Sequence, residues 1–373
     1  TIGTGQLALD GDIPDLVATS RTYTTANGGT FGQFIPAQPI TASARLAFVP
    51  QLQASDDVRS NLGFAETSGS AGVVRVTLYD AATGNVISTT DFAITPFGHT
   101  QFGVTGSALM TARIAVLEGS ASLLSYGSVI DNRTGDPIYI PAEVPPVGGR
   151  TGVAPAISAS GALGTHWMTD VFVTATGEGG GSFTLTFVDA GTGQSVAKTF
   201  SLSPHQAIRF ADVVSSVFGR SGTFGAIRAD LGEGLLITSR TYTPGDGGTF
   251  GQFEPFPRSE EGFAPLAPGG TPRELLQVEQ SDAFRTNVGA INAGGIDALI
   301  RFTAYDGAGV SLGLIERTLG PLQAVQIPLQ AITASRMTNG RIEVQMISGS
   351  RGAVAWASVV DNVTGDPIFV PVQ

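Results

Sequence analysis

SRTYTTANGGTFGQF at residues 20–34 returns as SRTYTPGDGGTFGQF at 239–253. A second pair, SVIDNRTGDPIYIP at 128–141 and SVVDNVTGDPIFVP at 358–371, alternates with it. Each stretch holds an apolar strand, a Gly- or Asx-rich turn and a short aromatic strand running into proline. Recurrence in a fixed order at domain spacing defines an array.

Working outward, VVRVTLYD (73–80), FTLTFVD (183–189) and LIRFTAYD (299–306) alternate apolar and polar residues and end in Asp80, Asp189 and Asp306. That period of two marks half-buried strands. Pro-led strands follow from Pro96, Pro204 and Pro321. The repeat is roughly 110 residues, the length of an immunoglobulin-like sandwich. ADVVSSVFG (211–219) and LQAITASRM (329–337) place apolar residues three and four apart and predict one or two helical turns. The expected fold class is all-β: tandem immunoglobulin-like β-sandwich modules with at most short helices.

Two module styles alternate. One ends in SRTY…GGTFGQF, the other in DNxTGDPI. Residues 1–40 make a partial module with closing strands only, and 41–145, 146–260 and 261–373 make three complete ones. Two or three strands do not bury a core alone. The partial module therefore belongs to a longer protein, leans on a DNxTGDPI module, or is completed by another polypeptide, as in strand complementation.

SDDVRSNLG (55–63) and SDAFRTNVG (281–289), each followed by DNxTGDPI, resemble the tandem immunoglobulin-like repeats of bacterial exported and surface proteins. The resemblance spans essentially the whole chain. It implies a sandwich fold and export, and it supplies no catalytic residues. The module at 146–260 departs from it, with THWMTDVFV (165–173) in place of the Arg- and Asn-bearing run.

Composition narrows the function. The net charge is −11 and Lys198 is the sole lysine. Such a surface offers phosphates no cationic footprint, which argues against nucleic acid and anionic membranes. No apolar stretch reaches the ~18 residues of a membrane span. Without cysteine there is no disulfide scaffold, thiolate metal site or cysteine nucleophile. The acidic, lysine-poor make-up leans towards an extracellular or cell-surface bacterial protein.

Candidate chemistry is sparse. His99, His166 and His205 do not recur between modules and lack metal-ligand spacing. No GxSxG elbow is present. The DNxTGDP loops stand out: Asp131, Asn132 and Asp136, then Asp361, Asn362 and Asp366, gather hard oxygens of the kind calcium takes. The alternative is an Asx-turn in a hairpin. Arg59 and Arg285, two residues before Asn61 and Asn287, suggest an Arg–carboxylate tie to Asp56 or Asp282. Tyr126 and Trp356 read as core aromatics, with a sugar platform as the alternative.

Sequence alone thus points to a non-enzymatic structural or adhesive array, self-associating or meeting a surface partner, with no cofactor unless calcium. A carbohydrate-binding accessory region of a secreted hydrolase and an extracellular filament subunit are the alternatives.

Overall fold

A computed structural model describes residues 5–11, 16–26, 28–161, 164–245 and 247–373; residues 1–4, 12–15, 27, 162, 163 and 246 lie outside it. The chain is all-β. An N-terminal hairpin joins β1 (Thr19–Ala26) to β2 (Gly29–Pro36). The first sandwich comprises β3 (Leu46–Leu52), β4 (Val58–Glu66), β5 (Gly72–Asp80), β6 (Val86–Ile94), β7 (His99–Val104), β8 (Met110–Gly119), β9 (Leu123–Asp131) and β10 (Pro137–Pro141). The second comprises β11 (Arg150–Ser160), β12 (His166–Ala175), β13 (Gly181–Asp189), β14 (Ser195–Leu202), β15 (Ala207–Phe210), the one-turn α1 (Val213–Ser216), β16 (Thr223–Leu231), β17 (Leu235–Gly245) and β18 (Gly248–Pro255). The third comprises β19 (Arg273–Gln280), β20 (Phe284–Asn292), β21 (Ala298–Tyr305), β22 (Ser311–Leu319), β23 (Ala324–Pro328), β24 (Met337–Ser348), β25 (Ala353–Asp361) and β26 (Pro367–Pro371).

All three sandwiches share one strand order. In the first, β3-β8-β5-β6 faces β10-β9-β4-β7; in the third, β19-β24-β21-β22 faces β23-β20-β25-β26. The second has the same order, but its sheets run together because β11 and β12 pair from Ser158↔Met168 to Ser160↔His166. The period-two pattern sets what lies inside. Val74, Val76 and Leu78, then Phe183, Leu185 and Phe187, then Ile300, Phe302 and Ala304 are all buried. Asp80, Asp189 and Asp306 each turn a side-chain oxygen back onto N–H groups of the next turn, ending the strand as an Asx-turn does.

In the turns led by Pro96, Pro204 and Pro321, Phe97, His205 and Leu322 take φ near +55°, at 53°, 58° and 57°. A left-handed non-glycine is uncommon, and its threefold recurrence makes it part of the module's design. His205 uses the position to stack on Tyr79 of the first sandwich, with centroids 4.4 Å apart. Beside it, the Ala207 N–H donates to the Ala81 carbonyl at 2.9 Å. The linkers are also engaged. Arg150 pairs with half-buried Glu143 at 2.9 Å, and Val153, Phe224 and Ala226 pack with Val354, Trp356 and Phe369 between the second and third sandwiches. Trp356 is buried in that inter-module cluster, which leaves it no open face for a sugar.

Phe302→Ala, which empties a fully buried site in the third core, is expected to cost about 3–5 kcal/mol in urea unfolding.

Candidate functional site

Residues 128–141 and 358–371 meet residues 20–34 and 239–253 at one junction. The GGT turn of the second sandwich reaches the DN-loop of the first. Thr249 donates its N–H and its hydroxyl to Asp131 Oδ2 at 2.9 and 2.8 Å. The Gly251 N–H donates to Asp136 Oδ2 at 2.8 Å, and the Thr134 hydroxyl donates back to the Thr249 carbonyl at 2.9 Å. The N-terminal hairpin repeats this on the third sandwich. Thr30 donates to Asp361 Oδ2 at 2.8 and 2.9 Å, Gly32 to Asp366 Oδ2 at 2.9 Å, and Thr364 to the Thr30 carbonyl at 2.8 Å. The partial module thus leans on the DN-loop farthest from it in sequence.

Local sequence explains the fit. Asp131 Oδ1 and Asp361 Oδ1 close their own turns by accepting N–H groups from Arg133 and Thr134, and from Val363 and Thr364. That leaves Oδ2 of each pointing outward. The approaching turn must lack a side chain there. A Cβ at Gly248 would strike Asp131 Oδ1 and Arg133 Cβ, and one at Gly29 would strike Asp361 Oδ1 and Val363 Cβ. Phe253 then packs against the first core, and Phe34 enters the third. A bulge in the first strand of each acceptor sandwich completes the seam. Gln51 and Gln277, at φ 65° and 57°, hydrogen-bond Thr238 and Thr19.

Each hairpin also reaches the other acceptor. Ser128 of the first sandwich donates to Gln33 at 3.0 Å, and Ser358 of the third to Gln252 at 2.9 Å. Phe31 and Phe250 face each other at 6.4 Å. The four closing strands β2, β10, β18 and β26 surround a cavity of about 220 Å³ lined by Phe34, Tyr139, Phe253, Phe369 and the prolines that end each strand.

At the centre, Asp136 and Asp366 are 1 % and 0 % exposed, and their carboxyls lie near enough to shift each other's titration. Their Oδ1 atoms accept no donor among the described residues. Two carboxyls in contact cannot both be ionised, so the pair holds a proton. Burial pushes both upward; the charge of each on the other adds to it for Asp366, while Arg240 at 3.7 Å from Asp136 and Arg21 at 3.5 Å from Asp366 oppose it. Glu254 is raised to about 8 by burial, against hydrogen bonds from Gln252 and Thr241. Asp131 and Asp361 go the other way. Burial raises them, but the N–H and O–H donors around them outweigh it, and both end lowered.

The six residues singled out in the sequence therefore share one junction in two roles. The four aspartates clasp the hairpins. Asn132 and Asn362 turn to the neighbouring strands β4 and β20, where Arg59 donates to Asn132 Oδ1 at 2.6 Å and Arg285 to Asn362 Oδ1 at 2.9 Å. The expected tie of these arginines to Asp56 or Asp282 is thus replaced by an arginine–amide bond, and Asp282 pairs with Arg336 instead. As for calcium, Asp131 and Asp361 already accept two donors on each oxygen. Among the described residues no three His, Asp or Glu side chains converge as a cation site would need.

Sequence reasoning found the two motifs but not that one binds the other. Their strict alternation was the available signal. Arg21 and Arg240, in the SRTY halves, went unnoticed as partners of the buried pair.

No family model matches the chain, and no curated protein does. Among solved structures, the chain is similar to the tetra-tandem repeat in the extending region of a large adhesion protein, at 12% identity and a TM-score of 0.15, with 95% of this chain and 90% of that one covered.

A carboxyl raised by folding is protonated in the fold and ionised in the unfolded chain between its two pKa values. The unfolded chain then binds fewer protons, so stability falls as pH rises through that window. Asp136, Asp366 and Glu254 contribute fully below the ordinary carboxyl range of about 4 and lose that contribution as pH rises towards their raised values. Asp131 and Asp361 contribute above the ordinary range and lose it as pH falls through their lowered values. The urea midpoint is expected to decline from pH 5 to 8. Asp136→Asn, whose amide can donate to Asp366 without a titrating proton, is expected to reduce that slope and raise the midpoint at pH 8; an unchanged slope would place the titration elsewhere. Gly29→Ala is expected to release the N-terminal hairpin and speed tryptic cleavage after Arg21, with the third sandwich still folded by circular dichroism.

Proposed function

We propose that this chain is a non-catalytic structural or adhesive array of exported β-sandwich modules that assembles through its N-terminal hairpin. The observation that carries this reading is the repeated clasp. The carboxylates that the sequence offered for chemistry are engaged by backbone N–H groups of other modules, and the Asp136–Asp366 pair is sealed from solvent. Interlocked modules suit the bearing of load and the presentation of surface. The lysine-poor, acidic composition supports an extracellular or cell-surface location.

The immunoglobulin-like character belongs to the same proposal. In each sandwich the first and sixth strands pair in one sheet and the second and seventh in the other. These are the relations of strands B–E and C–F in immunoglobulin domains.

Sedimentation velocity over a concentration series is expected to show reversible self-association, and a panel of glycoside, ester and peptide substrates no turnover. Turnover by residues 1–373 that disappears in Asp136→Asn would overturn the non-catalytic reading.

The central cavity favours a second reading, carbohydrate binding, because aromatic rings and the amides of Gln33 and Gln252 line it together. Phe369 both lines the cavity and stacks on Trp356 with centroids 6.3 Å apart. A sugar lodged there is expected to shift tryptophan fluorescence in wild type and not in Tyr139→Ala.

A further inference from the structure

Each sandwich ends one sheet in a long strand with a single neighbour: β6 on β5, β14 on β13 and β22 on β21. These edges hold nine, eight and nine residues. A row of unpaired N–H and C=O groups of that length is a template for a further strand unless a side chain blocks it.

Two of the three edges are blocked in the same way. Lys198 of β14 stands opposite Leu185, and Arg317 of β22 opposite Ile300. Cross-strand partners share a face, and Leu185 and Ile300 are each 0 % exposed in their cores. Both edges therefore carry a cation on the core side. While the strand is an edge, such a side chain reaches water past the rim. An added strand would cover it and leave a charge without water or partner. Lys198 is the sole lysine of the chain, and this is where it sits.

β6 has no core-side charge. Thr90, opposite Val76, takes the position of Lys198, and Phe92, opposite Val74, takes that of Arg317. The one charge of β6, Asp91, lies on the outer side, held by both arms of Arg75 at 2.8 Å. The strand has no glycine or proline. Residues 86–91 are all exposed, among them the apolar Val86 and Ile87.

We propose that β6 pairs with β6 of a second copy of this chain, antiparallel and centred on Thr90, so that two four-stranded sheets become one. This surface is additional to the N-terminal hairpin and does not involve it. Self-complementarity names the occupant. Thr90 is the midpoint of Val86–Ile94, so centring there overlaps the whole strand. It sets Thr90 opposite Thr90, Thr89 opposite Asp91, Ser88 opposite Phe92, Ile87 opposite Ala93 and Val86 opposite Ile94. Apolar side chains then meet each other, and a hydroxyl meets the carboxylate. Centring on Asp91 would set like charges opposite, and centring on Thr89 would set Asp91 against Ile87. β14 or β22 of the second copy would bring its cation to the core side, so of the three edges β6 alone suits β6.

The test installs in the intact chain the charge that the second sandwich carries. Sedimentation velocity over one concentration series is expected to show a dimer in wild type that Thr90→Lys loses, with the two chains alike by circular dichroism. Hydrogen exchange at residues 86–94 is expected to slow as the wild-type concentration rises, and not in Thr90→Lys. Lys198→Thr combined with Arg317→Thr is expected to add larger assemblies through the two edges it uncovers. Unchanged association in Thr90→Lys, or exchange at 86–94 that ignores concentration, overturns the edge assignment and leaves assembly through the N-terminal hairpin standing. A wild-type chain that stays monomeric at every concentration overturns both.

Discussion

A buried carboxylate needs donors, and here the donors come from another module. Asp131, Asp136, Asp361 and Asp366 lie at strand ends where their own loops satisfy only part of each group. A buried acceptor left without a donor costs about 1–3 kcal/mol, and more when charged. The arrangement of the modules follows from that requirement. The GGT turns bring N–H groups, the following phenylalanines fill the adjoining cores, and the glutamines brace across to the opposite acceptor. Because the need occurs twice, the junction repeats one clasp, and the two innermost aspartates lie together between its halves.

That meeting gives the junction a chemical character neither half has alone. One DN-loop with one hairpin is an Asx-turn plus a few hydrogen bonds. Two of them create a carboxyl pair flanked by Arg21 and Arg240, where each acid sets the titration of the other. Stability near neutral pH is therefore a property of the assembled cluster, and it falls on the interface between the first and third sandwiches.

Much of the fold was legible because strands with one buried face carry their period openly. Val74, Val76 and Leu78 declared their side of the sheet, and so did the matching residues in the other modules. The turns were legible for the same reason, since Asp80, Asp189 and Asp306 act within a few residues of themselves. The site was half legible. Its residues stood out as oxygen-rich loops, but a carboxylate suited to calcium and one suited to backbone N–H groups look alike in sequence. What separates them is the partner, and Thr30 and Asp361 lie at opposite ends of the chain. The arginines were misassigned on similar grounds. Asp56 and Asp282 are close in sequence to Arg59 and Arg285, whereas the asparagines that receive them come from the next hairpin over.

The pairing of the first hairpin with the last loop also governs order in time. During synthesis, β1 and β2 emerge long before Asp361 and Asp366, while domains fold as units from the N-terminus. The first and second sandwiches have their clasp partners in hand once residue 255 is out. The N-terminal hairpin must wait for Asp361 and Asp366, which follow Thr30 and Gly32 by 331 and 334 residues. Closure of the ring of contacts thus becomes a late event of folding, a long-range contact of the slowest kind. Until then Phe34 and the GGT turn are held only by their own short ladder.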